Sequence, residues 1–287
     1  YSGIKSRVPP KVVVDFKRQL EIMWDIKRKR SRGNPVVIQT GREIQKLYKE
    51  KAATKLNLER YLAWIDKILL TTRHSINWDR LEQIKSLNNQ ESNLVKTICS
   101  SIDSRDLVAY SLTELMPSRD GQLNALVLDF LLKSAGREYV ESIPAMYDPK
   151  TSFGPYQFTE YALYDVPGEA KRGASIINQA LPEQEKIPGS VSLLRGEQHY
   201  KAGFLFMIDN IANLTNKRYN VLNSVWRNKK DDLVIFVATA HHMPGPALNA
   251  ARRWLDNKAR LPFHVSCGSH LRRYAIKTRA NLDALQK

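Results

Sequence analysis

The chain has 287 residues, 43% of them hydrophobic, and a formal net charge of +16. That is enough apolar material for one large domain or two modest ones, and the composition excludes an intrinsically disordered chain. No apolar run approaches the roughly 18–20 residues that a bilayer requires, and the two cysteines, Cys99 and Cys267, permit one disulfide without any spacing that implies it.

The charge is uneven. Residues 1–100 hold 21 basic and 10 acidic side chains, +11, whereas the remaining 187 hold 24 and 19, +5. A basic front of this kind suits nucleic acid, anionic lipid headgroups or an acidic wall polymer, and charge alone does not choose among them. The opening at Tyr1 rather than Met reads as a processed or trimmed product.

Pro9 and Pro10 introduce a first predicted helix over 12–30, where Val13, Phe16, Leu20, Met23 and Trp24 recur at helical steps. Lys27 to Arg30 end it, with Gly33 and Pro35 as stop signals. A second basic helix is expected over 42–53. A third runs from Asn57 as cap, with Leu58, Tyr61, Leu62, Ile65 and Leu69 as its apolar stripe. Others begin near Trp78 and cover about 91–102. Trp24, Trp64 and Trp78 are expected in the core of this helical bundle.

From Asp103 the texture changes. SRDLVAYSLTELMP (104–117) is apolar on most sides and so should be a central helix; QLNALVLDFLLKSAG (122–136) is another. Residues 141–160 read as loop and short extended segments, and AKRGASIINQALPEQ (170–184) as a further helix. EQHYKAGFLFMIDNIANL (197–214) and LVIFVATAHHMPGPALNAARRWL (233–255) set small residues among large ones, which permits close helix contact. The expected fold is mainly α, with a basic helical region over 1–102, a second unit over 103–287 and a small β or loop segment. Internal repeats and low-complexity stretches are lacking.

Three segments in this order carry a resemblance. SFGPYQF (152–158) resembles the Gly-Leu-Met-Gln signature of lysozyme-like lytic transglycosylases, where a glycine turn sets a glutamine into the saccharide cleft. EQHYKAGFLFMIDNI is similar to that family's next helix, with its Ala-Gly pair. ATAHHMPGPALNAARRW resembles its Ala-Ala-Tyr-Asn-Ala-Gly-Pro segment. The match spans about 103–260. The departure is that the family's Tyr-Asn falls at His241, His242 or Met243; in the family that tyrosine helps hold the catalytic glutamate. An imidazole offers a comparable hydrogen bond, although the change also fits altered or lost activity. Adjacent residues on a helix point in different directions and chelate poorly, so the two histidines do not read as a metal site.

The resemblance implies one carboxylic acid at the end of a buried helix, which protonates the glycosidic oxygen. Burial among apolar groups raises a carboxyl pKa. Two residues compete for the role. Glu141 lies 16 residues before Gln157, a spacing like the family's, but GREYVES reads as a wet face. Glu114 is flanked by Leu107, Val108, Tyr110, Leu112, Leu115 and Met116, with Pro117 ending the helix; it lies 43 residues before Gln157. The apolar setting favours Glu114 and the spacing favours Glu141.

Gln157 and Tyr156 would touch the saccharide, the first through its amide and the second through its ring face. Gly154 would allow close backbone approach. The alternative for this loop is a tight turn whose Tyr and Phe fold inward. Asp148 is a turn residue before a proline, or a second carboxylate of the kind a hydrolysing lysozyme uses.

The resemblance therefore implies cleavage of the N-acetylmuramic acid to N-acetylglucosamine bond of peptidoglycan with a 1,6-anhydro product and no cofactor. It places the site outside the cytoplasm, with the basic front against an anionic wall polymer or membrane surface. The rivals are a hydrolytic lysozyme, an inactive protein of lysozyme fold, and a basic helical nucleic-acid binder supported by KRKRSR (27–32).

Overall fold

The computed structural model describes residues 58–115, 156, 158, 173–189, 194 and 197–286. The expected helices over 12–30, 42–53 and 122–136, with Trp24, the cap Asn57 and Pro117, lie outside these residues. So do Glu141, Asp148, Gly154 and Gln157.

The described chain is mainly helical. Four helices lead: α1 (Leu58–Ser75), α2 (Trp78–Lys85), α3 (Asn89–Ser101) and α4 (Ser104–Leu115). A short α5 (Ala174–Asn178) precedes α6 (Glu197–Thr215) and α7 (Tyr219–Val225). The remainder comprises α8 (Lys230–His242), α9 (Pro244–Asp256), α10 (Phe263–Ser266) and α11 (Ser269–Gln286). Phe158 is an isolated bridge residue.

Local chemistry explains the boundaries. Asn88 accepts from the Glu91 N–H at 2.9 Å while the Glu91 carboxylate accepts from the Asn88 N–H at 3.1 Å, a reciprocal cap on α3. The same carboxylate reaches the Lys217 N–H beyond α6. Asp103 and Asp106 cap α4 in the same reciprocal way, and Asp66 of α1 accepts from both the N–H and the hydroxyl of Ser104 at 2.9 Å. The start of α4 is thereby fixed, which determines where its far end lies.

The run 233–255, continuous in hydropathy, is divided. Met243 leaves helical geometry and Pro244 opens α9. Proline has no N–H to give at that position and none is needed there. Of the expected helix over 170–184, the described part, 173–184, is α-helical only over 174–178, with Gly173 at φ 94° before them.

Helix α6 is the axis of the fold. Nearly every side chain from His199 to Thr215 is buried, and α1, α3, α5 and α8 pack around it. Helices on both sides of the expected 102/103 boundary share one apolar core, from Leu62 and Ile65 through Leu205 and Phe236 to Leu282. The described helices of 58–101 are thus part of the same packed body as the described helices after residue 103. Trp64 and Trp78 pack against that core, Trp64 edge-on to Tyr200 at 5.5 Å. Cys99 and Cys267 are both buried free thiols. No helix among the described residues is long and apolar enough to cross a membrane.

One close approach sets the packing of α6. A Cβ at Gly203 would lie 2.7 Å from Tyr156 Cζ and 2.9 Å from Cε2, so only glycine admits the ring. The Ala202–Gly203 pair belongs to the segment that carries the family resemblance. Gly203→Ala is expected to lower stability by about 1–3 kcal/mol through overpacking, even though alanine favours a helix. Urea unfolding measures this; a stabilised variant would contradict the close approach.

Candidate functional site

Glu114 lies in the last turn of α4, and its side chain is only 2% exposed. The residues leading to it, Leu107, Val108, Ala109, Tyr110 and Leu112, are all buried. The expected setting, a carboxyl at the end of an apolar helix, is what the structure has.

The end of α8 meets it. His242 Nε2 lies 2.9 Å from Glu114 Oε2, and His241 Nε2 lies 3.8 Å from the same oxygen. Two consecutive histidines reach one carboxylate because they close a helix, where the last side chains splay around its end. Tyr110, one turn before Glu114, places its hydroxyl 2.9 Å from His241 Nδ1. Burial, with Glu114 adding to it, pushes the Tyr110 phenol well above its ordinary pKa. The Tyr110 hydroxyl and His241 Nδ1 share one hydrogen bond, which holds the imidazole with its Nε2 on the Glu114 side.

The C-terminal helix closes the other side. The Tyr274 ring stacks on His242, with centroids 3.6 Å apart and planes 26° from parallel. Lys277, one turn on, donates from Nζ to the Thr113 carbonyl, the residue before Glu114. Thr278 and Asn281 continue the contact through the Thr113 hydroxyl, and Asn281 also donates to the Ala109 carbonyl. Glu114 Oε1 is buried without a hydrogen-bond partner among the described residues.

Electrostatics correct one expectation. Burial pushes the Glu114 carboxyl up, as its apolar flank implies. The facing imidazoles of His241 and His242 and the Lys277 ammonium pull it down, and the net direction is below the ordinary carboxylate value. Glu114 rests ionised, not as the neutral acid that burial alone would give. Lys277 is itself pushed down to about 8 by burial, against the attraction of Glu114.

Tyr156 is a second correction. It was expected to offer its ring to a sugar. Instead it is fully buried against Gly203, 4.7 Å from the Tyr110 ring and 5.3 Å from Phe158, and its hydroxyl donates to the Leu107 carbonyl at 3.2 Å. Phe158 lies 5.1 Å from His241. The inward-folding alternative describes both residues. They act as packing that joins α4, α6 and the end of α8.

Glu114, His241 and His242 are therefore brought together, with Tyr156 behind them in the core. Tyr110, Tyr274 and Lys277 were not foreseen as site residues. Tyr110 was legible, being four residues before Glu114 and so on the same helical face. No cluster suited to a metal ion occurs among the described residues. No family model, curated protein or solved structure matches this chain.

Proposed function

We propose that the protein cleaves peptidoglycan glycan strands as a lytic transglycosylase, with Glu114 as its single catalytic carboxylate. One observation carries the reading. The segment AHHMPGP, where the resembled family has its glutamate-holding tyrosine, delivers His241 and His242 to Glu114 across 127 and 128 residues of sequence. Nothing in sequence spacing requires that meeting.

In this reading Glu114 first takes a proton. His242 is the route, since its side chain is 26% exposed while touching the carboxylate. Protonated Glu114 gives that proton to the glycosidic oxygen as the C1–O4 bond breaks through an oxocarbenium-like state. The carboxylate then removes the proton of the muramyl 6-hydroxyl, whose oxygen bonds to C1. The products are a 1,6-anhydro end and a free 4-hydroxyl, with no net consumption of water. The partner is the glycan strand, no cofactor is needed, and the location is extracytoplasmic because the substrate is. The basic residues 1–100 would hold the protein on an anionic wall polymer or membrane surface.

A second reading, an inactive protein of lysozyme type, is favoured by the resting ionisation of Glu114. Incubation with purified sacculi, followed by mass analysis of the released muropeptides, separates the possibilities. Anhydro ends are the expected result. Reducing ends would indicate a hydrolytic lysozyme. No release, under conditions in which the protein is folded, would favour the inactive reading; salt-sensitive DNA binding in its place would favour the nucleic-acid binder.

A further inference from the structure

The helix α11 contributes nothing to the motif resemblance, yet it touches both halves of the Glu114 contact. We infer that α11 completes the site through two positioning residues: Tyr274, whose ring holds His242 against Glu114, and Lys277, whose ammonium anchors the last turn of α4. The inference rests on the proposed role of Glu114 but is tested apart from it.

The geometry is specific. Tyr274 and Lys277 stand three residues apart, one turn of α11, so they project on the same face. The Tyr274 ring covers the His242 imidazole at 3.6 Å, which restricts the plane of the ring. In that plane Nε2 lies 2.9 Å from Glu114 Oε2. Lys277 binds a carbonyl in the final turn of α4, one of the groups a helix end leaves without an internal partner. Its charge also faces Glu114. Asn281 and Thr278 bond the same face of α4, so α11 is fixed to α4 along two turns.

Among the described residues, the charged and titratable groups around the carboxylate come from three elements. They are Tyr110 on α4 itself, His241 and His242 on α8, and Tyr274 and Lys277 on α11, with Arg273 next to the last pair. A plain packing role for α11 predicts that loss of Tyr274 or Lys277 costs stability and leaves the titration of Glu114 where it was. A positioning role predicts that the titration moves.

The test is the side-chain carboxyl 13C titration of Glu114, assigned by its loss in Glu114→Gln. It is followed in the wild type and in Tyr274→Leu, Tyr274→Phe, Lys277→Met and Lys277→Arg. Tyr274→Leu and Lys277→Met should each move the midpoint upward, because the first releases an imidazole and the second removes an ammonium. Tyr274→Phe keeps the stacking ring and Lys277→Arg keeps the cation, so both should stay near wild type. Sacculus cleavage should fall about tenfold to a hundredfold in Tyr274→Leu, as small misplacements of catalytic groups do. If Lys277→Met does not fold, the half-buried Tyr274 pair decides the question. A Glu114 midpoint unchanged in folded Tyr274→Leu overturns the inference. Upward shifts in a protein that never cleaves sacculi would instead sustain the inference and remove the proposed function.

Discussion

Glu114→Gln is expected to reduce release of muropeptides from sacculi by about a hundredfold to ten-thousandfold, the usual loss of a general acid and base, with the helical circular dichroism spectrum retained. The amide keeps the shape of the carboxyl and removes both its proton and its charge. Full turnover in this variant would remove Glu114 from the chemistry and leave Glu141 to be tested. The pH dependence gives an independent reading. To act as the proposed acid Glu114 must be protonated, and the facing imidazoles of His241 and His242 with the Lys277 ammonium hold its pKa below the ordinary carboxylate value. The reactive fraction therefore grows as pH falls, and kcat/KM should rise in that direction. His242→Ala removes the imidazole that bonds the carboxylate and helps hold its pKa down, so the profile should move to higher pH; a move to lower pH would contradict the arrangement. Stability runs the opposite way. A depressed carboxyl contributes stability that is present above its unfolded value of about 4.3 and is lost as pH falls through the folded value. The conditions that arm the acid also loosen the fold around it.

Lys85→Met is expected to lower stability by about 3–5 kcal/mol, the cost of stranding one member of a buried ion pair. Lys85 Nζ lies 2.7 Å from Asp209 Oδ1, with side-chain exposures of 8% and 3%. The pair ties α2 to the centre of α6. Asp209 also accepts from the Gly173 N–H at 3.0 Å and from the Asn213 amide at 3.2 Å, so the carboxylate organises the entrance to α5 as well. Methionine keeps the length of the lysine stem and supplies no charge, which leaves Asp209 with two neutral donors among the described residues. Asp209→Leu added to Lys85→Met should recover part of the loss, since removing both charges is far less costly than removing one. Urea denaturation with an unchanged slope measures the difference. A loss under about 1 kcal/mol would show that solvent reaches the pair.

What the sequence made legible follows the physics of each segment. Helices α1 to α4 and α6 carry either a clean apolar stripe or continuous hydrophobicity, and their existence was readable. Glu114 was readable as a buried carboxyl because its flanks are apolar within a single turn. Its ionisation was not, because the opposing charges arrive from residues 127 to 163 positions away. Tyr156 was misread for a related reason. A tyrosine in a Gly-Pro turn resembles a ligand contact, and only the gap left by Gly203 on another element shows that the ring has an interior place to go. Helix α11 went unread because SHLRRYAIKTRANLDALQ is polar on most positions. A signal was nevertheless present: Leu271, Ala275, Thr278, Leu282 and Leu285 recur at steps of three and four and are all buried.

The placement of α11 also has a temporal side. A ribosome releases residues in order, and α4, with its carboxylate, emerges long before residues 269–286. Until they arrive, the face of α4 that bears Ala109 and Thr113 lacks the side chains that bond it. A nascent chain thus carries α4 without its finished carboxylate pocket until residues 269–286 have been made, and the pocket forms only when α11 docks.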